Sequence, residues 1–188
     1  MKTVTIPVAI VLIATGIILF SRRNGTHGQS ATAQKPPDKV FIGLRSQAFG
    51  WTRQNLSLPA PPEPGHAWGV LMDWVVDNGT ATIVAMSDGS ASIYLSSGGG
   101  YLGGGGREPI RNAAKRMVSA AVECQQQAHP TSTYPLPERG TVGFYFLTDS
   151  GVLTASAPEA DLKSHRGSLA ALFDAGQYVI TQYRLIQK

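Results

Sequence analysis

The sequence predicts an α+β fold, in which an antiparallel sheet packs against two helices as a two-layer sandwich behind an N-terminal transmembrane helix. Three observations support this fold class. Short β-rich segments alternate with turn residues, two longer segments have helical periodicity, and an uncharged apolar run stands at the N-terminus. Two amphipathic helices each need an apolar surface to cover, and a sheet supplies one. The expected order of elements in the domain is βββ-α-ββ-α.

The uncharged segment Val4–Phe20 predicts the transmembrane helix. At a rise of 1.5 Å per residue it would extend about 25 Å, close to the short limit for crossing a bilayer. A cleaved signal peptide is the alternative, since residues 31–33 have the small-x-small form of a cleavage site. Arg22 and Arg23 stand where a cleavage region is normally neutral, so we expect an uncleaved signal-anchor.

The charges around this segment predict its orientation. Lys2 alone precedes it, whereas Arg22, Arg23, Lys35 and Lys39 follow within about 20 residues. Basic residues favour the cytoplasmic side of a membrane. We therefore expect a single-pass protein whose domain faces the cytoplasm, with a periplasmic or extracellular domain as the alternative.

The composition divides the chain into three parts. Residues 1–23 form the anchor. Residues 24–65 are a polar and proline-rich tether without a clean apolar period, although the part from Val40 onward could dock on the domain. Residues 66–188 carry every segment with clear strand or helix periodicity. We expect them to be the globular domain and to fold without the tether.

Three consecutive strands open the domain. Residues 67–76, 80–86 and 91–96 are short, rich in β-branched or aromatic residues, and bounded by turns. Residues 77–79 and 88–89 are Asp, Asn and Gly, which accept the positive φ of tight hairpins. The three strands therefore predict a meander.

Two helices and a second hairpin complete the domain. Apolar residues at spacings of three and four predict helices over residues 108–127 and 169–183. Between them, residues 142–147 and 152–156 flank a Thr-Asp-Ser-Gly turn and predict the hairpin. The apolar faces of these elements predict one shared core, formed by Trp74, Ile83, Ile93, Met117, Val118, Phe144, Phe146, Leu172, Phe173 and Val179.

The alternation of hairpins and helices over residues 66–187 resembles the profilin, longin and roadblock group of small α/β domains. The blocks Gly69–Trp74 and Ser96–Gly106 resemble segments of uncharacterised bacterial membrane-anchored proteins. The resemblance rests on element order and matches no signature motif. The three-strand opening departs from the two strands that precede the first long helix of roadblock domains. The resemblance implies a docking platform rather than a catalyst, and it carries over no functional residue.

Charge and cysteine content exclude two classes of function. The formal net charge of +4 includes Lys2, Arg22 and Arg23, and without these three of the 16 basic residues the balance against 12 acidic residues is about +1. Nucleic-acid binding needs a strongly basic domain. The single cysteine, Cys124, permits no intramolecular disulfide and no CxxC zinc site. We expect no metal, no cofactor and no nucleic-acid partner.

The glycine-rich segment 96–106 is the strongest candidate for ligand contact. Glycines free backbone N–H groups to approach a ligand, and three of them match the spacing GxGxxG. The helix begins too late for a dinucleotide site, and no GK[ST] is present for a P-loop. The alternative is a flexible connection or close backbone packing. The candidate ligand-binding residues are Ser97, Gly98, Gly99, Gly100, Gly103 and Asp73.

Asp73 enters this set because it is a charged residue inside an apolar strand. On the strand's period of two it lies on the opposite face from Met72 and Trp74. We therefore expect its carboxylate to be exposed to solvent. A pocket between Asp73 and the glycine-rich segment would favour a ligand-binding function.

A basic stripe follows one side of the first long helix, where Arg107, Arg111 and Lys115 stand four residues apart and Arg116 adjoins them. The stripe could meet anionic lipid headgroups or be an ordinary solvated helix face. No nucleophile, base or metal cluster has catalytic spacing, so no catalytic residue is assigned. The sequence favours a membrane-tethered, non-catalytic interaction module with an unidentified protein partner. The alternative is a small-molecule-binding protein or enzyme that uses residues 97–106.

Overall fold

The computed structural model of the protein describes residues 36–76 and 79–186. They form a mixed α/β fold built on one antiparallel sheet, as the sequence pattern predicts. No helix in this described part is both long enough and apolar enough to cross a membrane. The predicted transmembrane helix Val4–Phe20 lies outside the described residues.

The described chain contains seven strands: β1 (Gly69–Val76), β2 (Gly79–Met86), β3 (Ala91–Leu95), β4 (Gly100–Tyr101), β5 (His129–Thr131), β6 (Thr141–Thr148) and β7 (Gly151–Pro158). They form one sheet in the order β4-β3-β2-β1-β6-β7-β5, and all neighbouring pairs are antiparallel. The β1–β3 meander and the β6–β7 hairpin were both predicted. β4 and β5 were not, because strands of two and three residues carry no readable alternation.

Four helices accompany the sheet within the described residues: α1 (Lys39–Phe49), α2 (Glu108–Cys124), α3 (Glu159–Lys163) and α4 (Ala170–Leu185). α2 and α4 correspond to the two predicted helices and pack on one face of the sheet, against Val70 and Met72. α1 lies on the opposite face, against Leu71 and Val84. The prediction of two layers with two helices was therefore wrong in this respect, since helices cover both faces.

The central strands explain why both faces need a cover. β2 is buried at all eight positions, and β1 is buried at its first five. On β6, Phe144 and Phe146 belong to the core beneath α2 and α4, whereas Tyr145 belongs to the core beneath α1. A strand buried on both faces is a continuous apolar run rather than an alternating one.

α1 forms within residues 24–65, the segment that the sequence predicts as the tether. Asp38 caps the helix by accepting a hydrogen bond from the N–H of Val40 at 2.8 Å. Phe41 and Ala48, seven residues apart, lie on one side of the helix and are buried against the sheet. The part of residues 24–65 from α1 onward therefore contributes to the packed domain.

The predicted core is present between the sheet and the α2–α4 layer. Nine of its ten side chains are buried, and Trp74 is partly buried against that core. The Trp74 ring contacts the Phe173 ring edge-on, with ring centres 5.7 Å apart. α4 approaches β1 most closely at Gly176, where a Cβ would stand 2.5 Å from Cε of Met72. A larger residue at 176 would push the helix away from the sheet.

Candidate functional site

Asp73 lies in a buried polar cluster, which corrects the expectation that it faces solvent. Its relative exposure is 0%. Arg45 of α1 donates from Nε to Oδ1 and Oδ2 of Asp73 at 3.3 and 3.1 Å, and from Nη2 to Oδ2 at 2.5 Å. Thr82, directly across on β2, donates its hydroxyl to Oδ1 at 2.5 Å. The sheet face that sequence periodicity assigns to solvent is covered by α1.

Arg45 is held by further contacts. Its Nη1 donates to the carbonyl oxygen of Tyr134 at 2.7 Å. The guanidinium carbon lies 4.9 Å from the ring centre of Phe49 and 5.5 Å from that of Tyr145, within the range of cation–π attraction. The cluster therefore joins α1, the sheet and the loop at Tyr134, and Asp73 is engaged within the fold.

Two opposing effects act on the Asp73 carboxyl. Burial raises its pKa, while the charge and hydrogen bonds of Arg45 and the hydroxyl of Thr82 oppose that rise. Burial also raises the pKa of Tyr145, and the Asp73 charge adds to that rise. Without Arg45, Asp73 would be a buried carboxylate without a counter-charge, so its charged form depends on α1 staying in place.

The structure separates Asp73 from the glycine-rich segment. Asp73 pairs with Thr82, Thr82 with Tyr94, and Tyr94 with Gly100, so the four residues form one row across four strands. Three strand spacings give a separation of about 14 Å between Asp73 and Gly100. The predicted ligand set is therefore not brought together at one point.

The glycine-rich segment begins with the tight turn that joins β3 to β4. Gly98 and Gly99 have φ values of 102° and 80°, which L side chains rarely adopt. The N–H of Gly98 donates to the carbonyl of Leu95 at 2.9 Å and closes the turn. Ser97 is exposed beside it. The geometry of this turn requires its glycines without reference to a ligand.

Close packing against Tyr183 accounts for Gly104, at the other end of the segment. The N–H of Gly104 donates to the hydroxyl of Tyr183 at 3.1 Å, and this hydroxyl donates to the carbonyl of Ala91 at 2.6 Å. A Cβ at position 104 would collide with the Tyr183 hydroxyl. Most of the segment therefore fits the alternative of close backbone packing.

Gly103 nevertheless borders a groove. This α1–β3 groove has a volume of about 450 Å³ and lies between α1, the segment that follows α1, and the strands β2 and β3. Its lining is mainly apolar and includes Leu44, Trp51, Val84, Met86, Tyr94 and Leu102. Leu102, at the edge of the groove, is 64% exposed. The groove brings one end of the glycine-rich segment beside an apolar surface.

The predicted basic residues lie on the outer side of α2 or at its start. Arg107, Lys115 and Arg116 are exposed, and Arg111 is half-buried because its carbon chain packs on Gly89. Arg116 lies on the flank toward α4, with its guanidinium 5.5 Å from the ring centre of Tyr178. Among the described residues, these four side chains form no ion pair with a carboxylate. They form a basic surface on this side of α2.

The titratable side chains of possible catalytic use are dispersed. In the part of the chain that the structure describes, no group of three His, Cys, Asp or Glu side chains could hold a metal ion. His66 lies beside Glu63, and His165 beside Asp174. Cys124 is buried and donates to the carbonyl of Ala120 at 3.2 Å. Burial raises the pKa of the Cys124 thiol to about 11.

Cys124 is therefore expected to be unreactive in the folded protein. At pH 8 it should react with dithionitrobenzoate at least about 100-fold more slowly than in the unfolded chain, because the thiolate is the reactive form. The unfolded chain loses the thiol proton first, so stability that is present below about pH 8.5 declines as the pH rises toward 11. A Cys124→Ala variant should show a smaller decline, because it lacks the thiol's contribution. If Cys124 in the folded protein reacted as fast as in the unfolded chain, the burial of its thiol would be contradicted.

The residues that the sequence interpretation missed belong to the segment around α1. Arg45 and Trp51 lie there, and both contribute to the face of the sheet opposite α2 and α4. The available signal was the capping residue Asp38 followed by Phe41 and Ala48 on one helical side. The neighbouring apolar residues Val40 and Ile42, which are exposed, obscured that period.

Comparison of the chain with protein-family models, curated proteins and solved structures gave no match. No residue role is therefore transferred from a relative. The geometry offers three features with different chemistry: the buried Arg45–Asp73 pair, the α1–β3 groove and the basic surface of α2. Of these three features the pair is closed to solvent, whereas the α1–β3 groove and the basic surface are accessible for binding.

Proposed function

We propose that the protein is a membrane-tethered interaction module and that its domain contacts anionic lipid through the outer side of α2 and α4. The observation that carries the proposal is the basic surface of Arg107, Arg111, Lys115 and Arg116, whose side chains form no ion pair among the described residues. A basic residue near an anionic membrane surface contributes about 1 kcal/mol to binding at physiological ionic strength. Glu108 and Glu123 on the same helix offset part of this attraction.

α4 adds apolar contacts to the basic surface. Its Tyr178 is 43% exposed and lies under the guanidinium of Arg116. Tyr183, near the end of α4, accepts a hydrogen bond from Gly104, just before α2, so the two helices run antiparallel. Leu185, which is also exposed, therefore lies toward the start of α2. Aromatic and apolar side chains next to basic ones suit the boundary between headgroups and acyl chains.

The proposed anchor would strengthen lipid binding by this surface, whose intrinsic affinity is weak. A span at Val4–Phe20 followed by a polar linker would confine the domain near the bilayer and raise its local concentration there. A cytoplasmic domain would meet the leaflet that is rich in anionic lipid. The anchor and its cytoplasmic orientation, with the opposite orientation as the alternative, are part of the proposal, and so is a protein partner that binds at the membrane.

Vesicle flotation of residues 34–188, which include the whole compact unit of the described chain, tests the lipid contact. Reversing Arg107→Glu, Arg111→Glu and Lys115→Glu together should weaken binding to anionic vesicles about 100-fold or more at low salt. The control Lys39→Glu with Arg139→Glu reverses exposed basic residues elsewhere that likewise form no ion pair among the described residues. It should retain most of the binding. Equal losses in both variants, or no flotation of the unmodified fragment, would contradict the proposal.

The α1–β3 groove favours a second candidate function, the binding of a small molecule. Its volume of about 450 Å³ lies within the usual range of about 300–1,000 Å³ for ligand pockets. Leu102 and Gly103 of the glycine-rich segment line it, together with Trp51 and Tyr94. Ligand-induced thermal shift that is lost in Leu102→Asp would support this function, and a Leu102→Asp variant that responds as the unmodified protein does would oppose it.

A further inference from the structure

A second groove lies on the α1 side of the sheet, beside β6 and β7. This aromatic groove has a volume of about 350 Å³ and is formed by the chain that leaves α1, the loop after β5 and the β6–β7 turn. The rings of Phe49, Trp51, Trp68 and Tyr134 line it. Phe49 and Tyr134 stack on each other with ring centres 3.9 Å apart, whereas the half-buried Trp51 keeps part of its indole surface exposed.

Hydrogen-bonding groups stand among these rings. Gln54, Ser132 and Thr148 line the groove with them. Gln54 and Ser132 are exposed, and their side chains form no hydrogen bond with other residues of the described chain. The aromatic groove therefore offers uncommitted donors and acceptors, unlike the mainly apolar α1–β3 groove.

The charges that line the aromatic groove cancel. Arg53 donates from Nε to Oδ1 and Oδ2 of Asp149 at 2.9 and 3.0 Å. An anion would have to displace Asp149 from Arg53, and a cation would have to displace Arg53 from Asp149. A neutral ligand can leave the pair intact and use the guanidinium hydrogens and carboxylate lone pairs that remain.

Trp68 adds a buried hydrogen-bond donor to the residues that line the aromatic groove. It lines the aromatic groove and is 2% exposed, and within the described residues its Nε1 has no hydrogen-bond partner. A buried donor without a partner is costly, and native proteins rarely leave one. A ligand oxygen that reached this N–H would remove the cost.

We propose that the aromatic groove binds a neutral saccharide, with one or two pyranose rings inside it. The C–H face of a pyranose would lie on the apolar indole of Trp51, and its hydroxyls would bond to Gln54, Ser132 and the Arg53–Asp149 pair. An apolar ring of the same size would leave these groups and Trp68 Nε1 unpaired. The site goes beyond the proposed membrane contact, because it lies on the opposite face of the sheet from α2 and α4.

Titration calorimetry of the full-length protein, held in a detergent without a sugar headgroup, tests the proposal. The probes are cellobiose, diacetylchitobiose and cellohexaose, with cyclohexanol as the apolar ring. At least one sugar should bind with a Kd of about 1 mM or below, and cyclohexanol should bind at least tenfold more weakly. Equal affinity for cellobiose and cellohexaose indicates a free disaccharide as ligand, and tighter binding of cellohexaose indicates a longer chain.

Two variants test the location. Gln54→Ala with Ser132→Ala alters only exposed side chains and should weaken sugar binding about tenfold, because two hydrogen bonds are lost. Trp68→Phe keeps a ring but removes the N–H and should weaken binding as well, with folding checked by its thermal unfolding curve. Gln47→Ala, in the α1–β3 groove, should bind as the unmodified protein does. The proposal is overturned if no sugar binds at about 10 mM, if cyclohexanol binds equally well, or if Gln54→Ala with Ser132→Ala leaves the Kd unchanged.

Discussion

Replacing Asp73 with alanine is expected to lower the free energy of unfolding by about 3–5 kcal/mol. The substitution leaves the Arg45 guanidinium at a buried position, where its remaining hydrogen bond is to the carbonyl of Tyr134. It also removes the acceptor of the Thr82 hydroxyl. A buried charge without its partner costs far more than the pair itself contributes, so the loss should exceed that from an ordinary surface substitution.

A double variant separates the ion pair from the packing around it. Arg45→Met with Asp73→Leu removes both charges and keeps similar side-chain volume, and should recover most of the stability that Asp73→Ala loses. Urea unfolding followed by circular dichroism measures all three proteins. A loss below about 1 kcal/mol for Asp73→Ala would show that Asp73 is not buried against Arg45.

Removing residues 1–65 is expected to abolish cooperative folding, whereas removing residues 1–33 should preserve it. The longer deletion takes away α1 and exposes the apolar face that includes Leu71 and Tyr145. It also leaves Asp73 without Arg45. Burial of an apolar side chain contributes about 1.5–3 kcal/mol, so the loss of a whole apolar layer exceeds the usual stability of a domain.

Thermal unfolding of the two fragments is the measurement. The 34–188 fragment should give a single sharp transition, and the 66–188 fragment should aggregate or unfold without one. A 66–188 fragment that unfolds cooperatively near the temperature of the longer fragment would show that α1 is dispensable. That outcome would restore the boundary at residue 66 that composition alone suggests.

Local signals were sufficient for much of the sheet and for the two large helices. Gly89, in the turn before β3, has a positive φ value that suits a tight hairpin, and Gly79, which begins β2, also has a positive φ value. α2 shows the same strength of signal, since Ile110, Ala114 and Met117 repeat along one buried side. Where the residue pattern and the local backbone requirement agree, sequence is enough.

The environment of Asp73 could not be predicted from its strand alone. Strand periodicity correctly separates Asp73 from Met72, but it does not say whether a second layer covers the Asp73 face. That layer is α1, and the contact between Arg45 and Asp73 spans 28 positions of the chain. A polar residue in a strand that is otherwise apolar on both faces is better interpreted as a buried partner than as an exposed one.

The candidate ligand-binding residues are dispersed in the structure for a related reason. The composition of the glycine-rich segment suggests a ligand loop, because unpaired N–H groups can bind anions. Its glycines instead serve a tight local turn at Gly98 and a close contact at Gly104, and only this contact depends on a residue distant in sequence, Tyr183 of α4. The grooves beside α1 depend on Trp51, whose role follows from the packing of α1 and not from any motif.

The central claim, that the outer side of α2 and α4 meets an anionic membrane, is tested most directly by a dye at position 178. Tyr178→Cys can be labelled alone because Cys124 is buried, and Ser132→Cys provides the matched control beside the aromatic groove, on the other face. With anionic vesicles at low salt, the emission of the dye at 178 should shift to shorter wavelength and that at 132 should stay unchanged. A shift at 132 that equals or exceeds the shift at 178 would contradict the claim.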